Sequence, residues 1–459
     1  MAADRKPSID PDWAWQRYRP SDAMPWTIER ASHAHRRLGF AAPWKTLQHD
    51  LKAGPDATLA RLLKPDEASV ATFYSEAKSM AQAVLVSRER LELPAWWLYA
   101  MVHTPHPALE KMTLFWHGHF ATSAAKVSEP KLMYRQNENL RRYALTKFGP
   151  MLSDMARDPA MLIWLDSTTN RKSHPNENFA REVMELFSLG LGNYTEQDIQ
   201  EAARAFTGWE LRLGQFRVNT YQHDTAAKNI LGQKGEFDGD DCLRILLEQP
   251  AAAEFLTRKI YRWLVSESEE PSKELIKPLA DGLRQRNYDL SWLVETIGRS
   301  NLFFSTHALG QRIKGPVELA VGMVRALESP VSYYALATDL EKLGQSVFFP
   351  PNVKGWNGGP EWISSSSLVA RANWVWSLVG GRDNRYGDTI KLTELAALDD
   401  VDRPAELVDR LLSLLVGVSV PADVRVQLTS LAADTSDGER TRRARLIHAI
   451  GTLPEFQMT

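Results

Sequence analysis

Apolar side chains recur at helical spacing along most of the chain, and the segment HPNENFAREVMELFSLG shows the pattern most clearly. Phe179, Val183, Leu186 and Phe187 stand at positions i, i+4, i+7 and i+8, which places them on one side of a helix. The spacing therefore predicts a helix over residues 176–189 that buries this stripe against the rest of the protein.

A second helix is predicted directly after the first. Gly190 and Gly192 favour a helix end, because glycine adopts the left-handed backbone of a C-terminal cap at little cost. Thr195, with Asp198 three residues later, is a variant of the capping box. It predicts a helix that begins there and runs to about Phe206.

Similar periodicity covers most of the remaining sequence, so the expected fold class is all-α, a large orthogonal or bundle-like array of helices. One segment departs from this pattern. WELRLGQFRVN alternates apolar and polar residues and is expected to turn at Gly214-Gln215. This predicts one short β-hairpin, the only sheet of the protein.

Three regions are expected along the chain. Residues 1–25 are polar and punctuated by proline, which favours a flexible N-terminal arm. Residues 26–379 are predicted to form a single large helical domain. Residues 380–459 are predicted to form a C-terminal helical extension that packs on it.

The polar face of the predicted helix 176–189 allows two interpretations. Glu177, Asn178, Arg181, Glu182 and Glu185 fall opposite the apolar stripe. In the first interpretation they form a solvated ladder of ion pairs, each contributing roughly 0.2–0.5 kcal/mol. In the second they line a cleft, in which Arg181 holds an anion and Glu182 or Glu185 acts as a general acid or base.

A polar loop, STTNRKSHP, leads into this helix. Binding residues concentrate on loops held by a rigid frame, and the free amides of a helix N-terminus favour anions. Candidate substrate ligands are therefore Asp166, Asn170, Arg171, Asn176 and Asn178. Capping of the helix by Asn176 would explain part of this pattern without any ligand.

Histidines provide the candidate bases and metal ligands. His117 and His119, in FWHGHF, point about 200° apart on a helix and cannot share one ion, so each is either functional or a structural hydrogen-bonding residue. His223-Asp224 could be a base with its orienting carboxylate, a metal ligand with a supporting carboxylate, or two residues that serve different neighbours. The candidate ligands of a divalent metal, of unspecified identity, are His117, His119, Glu182 and His223.

A long loop, LGQSVFFPPNVKGWNGGPEWISSSS, covers residues 343–367, and loops of this length inside a domain often bind ligands. Lys354, Trp356 and Trp362 on this loop, together with Trp209, are candidates for substrate contact. The tryptophans could stack on a flat ligand such as a sugar, or they could anchor the loop to the body of the protein.

Charge and composition exclude several classes of protein. A net charge of −2 argues against a dedicated nucleic-acid binder. No apolar run is long enough to span a membrane, and MAADRKPSIDPDW lacks the apolar region of a secretory signal.

The single Cys242 excludes an internal disulfide, and its apolar neighbours favour a buried, inert thiol. GEFDGDD lacks the ligand spacing of a calcium loop, so Asp240 or Asp241 is expected to cap a helix.

Segments in order along most of the chain resemble a family of bacterial proteins, domain of unknown function 1800. They are RASHAHRRLGF, TPHPALEKMTLFWHGHFATS, RDPAMLIWLDSTTNRKSHPNENFAREVMELFSLG, YTEQDIQEAARAFTGW, LGQKGEFDGDD and FFPPNVKGW. The resemblance implies no reaction. Its members often carry export signals, which the beginning of this sequence lacks, so localisation stays open. They are often encoded beside domain of unknown function 1501, which resembles alkaline-phosphatase-type proteins.

The sequence allows two functions. The first is an enzyme with a polar cleft that performs general acid/base or metal-assisted hydrolysis or elimination, with a carbohydrate polymer as substrate because the chain has 15 tryptophans. The second is a non-catalytic binding or scaffold partner of the domain of unknown function 1501 protein. No phosphate loop, nucleophile elbow or HExxH motif is present, and haem has no attachment motif. An enzyme requires His117 or His119, Glu182 or Glu185, and His223 to meet in one pocket.

Overall fold

Helices dominate the computed structural model of the chain, as the periodicity predicts. The structure describes residues 9–87, 89–380 and 403–459, together with Tyr386, Leu392, Leu395, Leu398 and Val401. Within these residues the strands form two small antiparallel hairpins. None of the helices in these ranges combines the length and the apolar character needed to cross a membrane.

The elements follow one another closely. The first twelve helices are α1 Pro11–Ala14, α2 Ile28–Leu38, α3 Trp44–Ala53, α4 Pro55–Leu63, α5 Glu67–Val86, α6 Glu92–His103, α7 Pro107–His119, α8 Pro130–Tyr143, α9 Phe148–Ala156, α10 Pro159–Trp164, α11 Glu177–Glu182 and α12 Glu196–Ala205. The strands are β1 Trp209–Arg212, β2 Gln215–Val218, β3 Lys228–Ile230 and β4 Gln233–Gly235. The later helices are α13 Gly239–Glu248, α14 Pro250–Leu264, α15 Lys273–Gln285, α16 Leu290–Gly298, α17 Pro316–Ala326, α18 Tyr333–Lys342, α19 Ser365–Val379, α20 Pro404–Leu415, α21 Ala422–Ala433, α22 Glu439–Gly451 and α23 Pro454–Gln457.

Two apolar clusters form the core. One unites the end of α7 with α9, α11, α12, α14 and α16. The other unites α6, α17 and α18 with the C-terminal helices α20 and α22. Helix α7 contributes to both, through Trp116 to the first and Leu114 to the second. It therefore lies where the two clusters adjoin.

The predicted N-terminal arm is attached to the body wherever the structure describes it. Residues 1–8 lie outside the described residues. Within 9–25, Tyr18 is only 3% exposed, and the indole of Trp15 donates a 2.7 Å hydrogen bond to the carbonyl of Leu275 in α15. Arg17 forms a β-bridge with Ser300. Residues 9–25 therefore contact the helical body through their aromatic side chains, and the division of the chain into three regions stays a prediction.

The C-terminal residues also pack on the body. Ile313 pairs with Met458, the guanidinium of Arg371 donates to the Gln457 side chain, and Arg37 donates to the carbonyl of Thr459. These contacts agree with an extension packed on the helical domain. The linker expected after Gly380 lies mostly outside the described residues.

The predicted helix 176–189 consists of two parts. Helix α11 ends at Glu182 and continues as a π-helix over Val183–Leu189. The side chain of Ser188 donates a 2.6 Å hydrogen bond to the carbonyl of Val183 inside this segment. Apolar spacing alone could not reveal the change, because π and α turns differ by only one residue in their hydrogen bonding.

The cap of the next helix is confirmed. Thr195 and Asp198 form a reciprocal capping box, and α12 ends at Ala205. The cap predicted for α13 is wrong by two or three residues. Asp238, not Asp240 or Asp241, is the N-cap, and Asp241 completes a capping box from the third helical position. Cys242 is buried, and burial raises the pKa of its thiol.

The hairpin is confirmed, but its turn lies one residue earlier than predicted. Arg212 pairs with Gln215, so the turn consists of Leu213 and Gly214, both with positive φ as a type I′ turn requires. A second hairpin, β3–β4, turns at Leu231-Gly232 with the same signs of φ. The expectation of a single sheet was therefore wrong. Both turns carry the dipeptide Leu-Gly, a signal weaker than Asn-Gly.

Candidate functional site

A cavity of about 290 Å³ lies between the end of α7, helix α14 and the loop 343–367. Its wall is rich in cationic and aromatic side chains. It includes His119, the cations Lys259, Arg262, Arg312 and Lys354, the carboxylates Glu267 and Glu318, and the indoles of Trp263, Trp356 and Trp362. We call it the tryptophan cavity. Its size suits a ligand of one or two rings, at the lower end of the usual range for small-molecule sites.

The end of α7 separates its two histidines, as the helical geometry predicts. His117 faces Trp97, Phe348 and Trp356, whereas His119 faces Phe187 and Phe255. Both are buried, at 1% and 3% exposure. The two imidazoles therefore have different roles.

His119 connects the π-helix to α14. Its Nε2 lies 3.1 Å from the carbonyl oxygen of Phe187, and its Nδ1 lies 2.8 Å from Nζ of Lys259. A carbonyl can only accept, so Nε2 carries the proton and Nδ1 accepts from the lysine. Burial, followed by the charge of Lys259, lowers the pKa of His119 well below its usual value. The imidazole is therefore a neutral, oriented acceptor.

The surroundings of Lys259 on this wall change its ionisation. Burial lowers the pKa of its ammonium to about 8. Within the described residues its only hydrogen bond joins it to His119, and its Nζ lies 5.3 Å from the ring centroid of Phe255. It forms no ion pair there. A lysine in this setting is partly neutral near pH 8 and can accept a proton.

The inner wall is an ion-pair network. The carboxylate of Glu318 pairs with Lys111 and, at 3.2 Å, with Arg312, and it accepts from the backbone N–H of Gly315. These cations lower its pKa, although burial alone would raise it. Glu267 accepts from the N–H of Ile313 and lies 3.6 Å from Arg312. Both lining carboxylates are therefore occupied.

Lys111 and Arg312 also lie over the ring of Trp263. Nζ of Lys111 is 5.1 Å from the indole ring and the guanidinium of Arg312 is 4.6 Å from it. The indole N–H of Trp263 is buried and has no hydrogen-bond partner within the described residues. An oxygen of a bound ligand could accept from it.

The loop 343–367 is fastened to α7. Nε2 of His117 accepts a 3.0 Å hydrogen bond from the N–H of Phe348, and the ring of Trp356 lies 5.7 Å from the imidazole. Gly355 has a φ of 76°, and a Cβ at this position would lie 2.4 Å from the carbonyl oxygen of Gly118. Only glycine permits this approach. The contacts bring Lys354 and Trp356 to the tryptophan cavity.

Several side chains on the polar face of α11 make ion pairs or hydrogen bonds with neighbouring residues of the protein. Arg181 makes a bidentate pair with Glu196 of α12, at 2.8 and 2.6 Å, and lies 3.8 Å from Glu177. Glu185 accepts from the hydroxyl of Tyr194. The anion-clamp role predicted for Arg181 is therefore not available, because Glu196 neutralises it. The predicted ladder is present only between Glu177 and Arg181.

Glu182 differs from its neighbours on this face. It is half-buried and makes no hydrogen bond or ion pair with any described residue. Burial, and then the charge of Glu185, raises its pKa, while Lys354 on the loop opposes this. Glu182 and Lys354 therefore feel each other's charge, although Glu182 does not line the tryptophan cavity.

Side-chain amides of three asparagines stabilise the conformation of the polar loop before α11. Asn170 accepts from the N–H of Asn176 and donates to the carbonyl of Ala203. Asn176 caps α11 by accepting from the N–H of Asn178, and it donates to the carbonyl of Asp166. Asn178 itself donates to the Leu165 carbonyl. The three amides stabilise the loop, so the capping interpretation is the correct one for Asn176.

The other residues of this loop lie at the surface. Asp166 has a left-handed φ of 55° and pairs with Lys126 at 2.8 Å, and Arg171 forms a β-bridge with His174. Both Asp166 and Arg171 are exposed, and neither belongs to the lining of the tryptophan cavity. Their predicted role in substrate binding stays a prediction.

His223 and Asp224 serve different neighbours. Nδ1 of His223 donates to the carbonyl of Thr207 at 2.9 Å, while Asp224 pairs with Arg204 at 2.7 Å. Hydrogen bonding from Arg204 lowers the pKa of Asp224.

Trp209, a predicted substrate ligand, is only 3% exposed and packs on Phe206 and Phe216. That prediction was wrong, because the ring belongs to the core.

The predicted site is therefore only partly assembled. His119, Lys354, Trp356 and Trp362 share the tryptophan cavity. Glu182 does not line it, although the charge of Lys354 acts on it, and His117 supports the loop, whereas His223 belongs to another cluster. Within the described ranges, no three histidine, cysteine or acidic side chains form a group that could hold a metal ion. The metal set His117, His119, Glu182 and His223 thus does not come together there.

Sequence reasoning missed the wall that α14 contributes. Phe255, Lys259 and Trp263 follow one another at i, i+4 and i+8, so a lysine interrupts an aromatic row on a partly buried face. A lysine within a row of aromatic residues is the sequence feature that could have indicated this wall. The sequence around Arg312 and Glu318 gave no such indication, because their burial depends on residues distant in sequence.

Comparisons with known proteins agree with the resemblance noted from the motifs. The model of a family described as a protein of unknown function, DUF1800, matches residues 33–458. The match extends beyond the last of those motifs, FFPPNVKGW, through the C-terminal region. No curated protein and no solved structure matches the chain.

Proposed function

The chain belongs to the DUF1800 family, whose function is unknown, and we propose that it is an enzyme that performs general acid/base chemistry on a carbohydrate in the tryptophan cavity. Lys259 is the base and His119 positions it. The reaction class is hydrolysis or elimination. The single observation that carries the proposal is the 2.8 Å contact between Nζ of Lys259 and Nδ1 of His119 on the cavity wall.

The state of Lys259 supports a catalytic role. A structural lysine is normally paired with a carboxylate, as Lys111 is with Glu318. Lys259 has no such partner within the described residues, and its pKa of about 8 places its proton exchange close to neutral pH. When neutral it donates one N–H to His119 and keeps a lone pair for a substrate proton.

The aromatic lining supports a sugar as the ligand. Trp263, Trp356 and Trp362 come from two separate segments and meet at one cavity, and indole faces pack well on the C–H faces of sugar rings. The unpartnered N–H of Trp263 can donate to a hydroxyl. If the reaction is hydrolysis, Glu182, whose pKa is raised, is the candidate proton donor for the leaving group.

A substrate screen with matched variants tests the proposal. Purified protein is incubated with a panel of neutral and acidic oligosaccharides, and new reducing ends are measured. Lys259→Met keeps the length of the side chain and removes the base, so turnover should fall by about 100-fold or more. Lys277→Met, on the exposed face of α15, is the control for handling and folding. Equal turnover by the Lys259 and Lys277 variants would remove Lys259 from the mechanism.

Exposed apolar residues favour a second candidate function, the non-catalytic partner of a domain of unknown function 1501 protein. Leu213, at the tip of the β1–β2 hairpin, is 96% exposed, and Tyr221 just beyond the hairpin is 85% exposed. Such side chains gain most when a partner covers them. Co-purification of the two proteins, and its loss in Leu213→Ser, would support this function. Co-purification that is unaffected by Leu213→Ser would place the interface elsewhere.

A further inference from the structure

The charge balance of the tryptophan cavity distinguishes between classes of sugar. Its lining carries four cations, Lys259, Arg262, Arg312 and Lys354, against two carboxylates, Glu267 and Glu318. Both carboxylates are engaged with Arg312, and Glu318 also with Lys111. Arg262 pairs with Glu270. Lys259 and Lys354 are left without an ion pair in the described part of the chain.

The two lysines without an ion pair come from different segments of the lining. Lys259 is in α14, whereas Lys354 is on the loop 343–367. A neutral sugar would offer neither lysine an ion pair. A ligand with one negative charge would supply the partner that Lys354 lacks, since Lys259 must be neutral to act as a base, and an ion pair is stronger where water is partly excluded.

The carboxylates of this wall are not arranged for hydrolysis. Glycoside hydrolysis usually needs one carboxylic acid and one free carboxylate on either side of the scissile bond. Here Glu318 is held by two cations and a backbone N–H, and Glu267 accepts from Ile313. Glu182, which does not line the cavity, would supply at most one carboxyl group, so the pair that hydrolysis needs is incomplete. The group on the wall that can accept a proton is the amine of Lys259.

Building on the proposed function, we propose that the substrate is a uronic-acid sugar and that the reaction is β-elimination. The substrate carboxylate pairs with Lys354, and Lys259 removes the proton from the carbon beside that carboxylate. Pairing with a cation makes this proton more acidic, because negative charge develops on the carboxylate as the proton leaves.

The bond changes balance without an added reactant. The C5–H bond breaks and its proton moves to Nζ of Lys259, while the electron pair of that bond forms a C4–C5 double bond. The bond from C4 to the glycosidic oxygen breaks, and that oxygen takes a proton from water. The hydroxide that remains recovers the proton from Lys259. The products are an unsaturated uronate and a shortened sugar chain.

The test uses pairs of oligosaccharides that differ only in charge. Oligouronates and the same chains with each carboxylate reduced to an alcohol are incubated with the full-length protein. Elimination is followed by the ultraviolet absorbance of the conjugated double bond, and all cleavage is followed by reducing ends. We expect equal amounts of the two products from an oligouronate and neither from its reduced form.

Other outcomes separate this inference from the proposed function. Reducing ends without the double bond would mean hydrolysis, and equal cleavage of the reduced chains would mean that the carboxylate is not recognised. Either result overturns the inference and leaves the proposed function standing. Failure to bind or cleave any member of the panel overturns both.

Variants of Lys354 test the recognition step by itself. Lys354→Gln should raise the KM for an oligouronate by roughly tenfold, and Lys354→Arg should restore most of the loss because it keeps the charge. If Lys354 had only a structural role, the two variants would raise the KM equally. An unchanged KM in Lys354→Gln would show that this lysine does not pair with the substrate.

Discussion

The imidazole of His117 accepts a 3.0 Å hydrogen bond at Nε2 from the backbone N–H of Phe348. Phe348 has a φ of 67°, unusual for a residue with a side chain, and its carbonyl accepts from the N–H of Ala124. The strained residue is thus held at both its N–H and its carbonyl. Because Trp356 follows on the same loop and packs on the same imidazole, His117 sets the position of the cavity wall.

Replacement of His117 should therefore loosen the loop without removing a reacting group. In His117→Ala the buried N–H of Phe348 loses its acceptor, at a cost of about 1–3 kcal/mol in the free energy of unfolding. Hydrogen exchange at Phe348 should accelerate, and any activity should show a higher KM with kcat little changed. His117→Gln, which retains an acceptor at similar reach, should recover part of the protection. Unchanged exchange in His117→Ala would contradict this role.

Stability should depend strongly on Glu110, in the first turn of α7. It is fully buried and accepts from Arg141 at 2.6 Å, and from the hydroxyl of Tyr74 and the indole of Trp97 at 2.7 Å. Glu110→Gln should cost about 3–5 kcal/mol in chemical denaturation, because it leaves a buried guanidinium with less compensation. Glu138→Gln is the matched control. Glu138 pairs with the same Arg141 from a partly exposed position, so its loss should cost about 1 kcal/mol or less.

The same pair gives a dependence on pH. Burial would raise the pKa of Glu110, but the charge of Arg141 and the hydrogen bonds outweigh it, so the pKa is lower in the folded state than in the unfolded chain. The stabilisation is therefore complete above the usual carboxyl pKa, near 4.5, and is lost as the pH falls below it. Glu110→Gln should lose less stability than the parent over this acidic range. Parallel curves for the two proteins would refute the assignment.

Several features could be predicted from the sequence because they depend on neighbours along the chain. The capping box of Thr195 and Asp198 is local, and the divergence of His117 and His119 follows from the geometry of one helix. The all-α class follows from periodicity in the same way. The turn at Leu213-Gly214 was misplaced because leucine is uncommon at a positive φ, which the hairpin twist imposes.

The composition of the site could not be predicted because it depends on contacts between distant segments. His119 and Lys259 are 140 positions apart, and only the folded chain shows that one orients the other. The sequence allowed Arg181 either a ladder of ion pairs on its own helix or an anion-binding role, and only the fold shows its pair with Glu196 of the next helix. Trp209 appeared suited to a ligand, but Phe206 and Phe216 bury it.

Burial of Lys259 should destabilise the folded protein at neutral pH. Its pKa falls from its usual value of 10.5 to about 8. The buried charge therefore lowers the free energy of unfolding by its full amount below pH 8 and has no effect above about pH 10.5. Lys259→Met should therefore increase the free energy of unfolding at pH 7 by roughly 1–3 kcal/mol, allowing for the lost hydrogen bond. The gain should shrink as the pH rises from 8 to 10.5. Lower stability of the variant at pH 7 would contradict this account.

The rate of the proposed reaction should follow the ionisation of Lys259. A base acts in its neutral form, so kcat/KM should increase with pH and reach a plateau above about pH 8. His119 affects this profile because its Nδ1 accepts from Lys259 and its Nε2 is fixed by the carbonyl of Phe187 in the π-helix. His119→Gln retains a donor and an acceptor, and should keep the plateau with a moderate loss of rate.

His119→Leu is the informative comparison. It removes the acceptor but leaves the site buried, so the neutral amine gains no new partner and is no longer oriented. We expect kcat to fall by about tenfold to 100-fold, a larger loss than in His119→Gln, while the melting temperature changes similarly in the two variants. A role confined to packing would give the opposite order, since leucine fills apolar space better than glutamine. Equal activity of the leucine variant and the parent would show that His119 does not position the base.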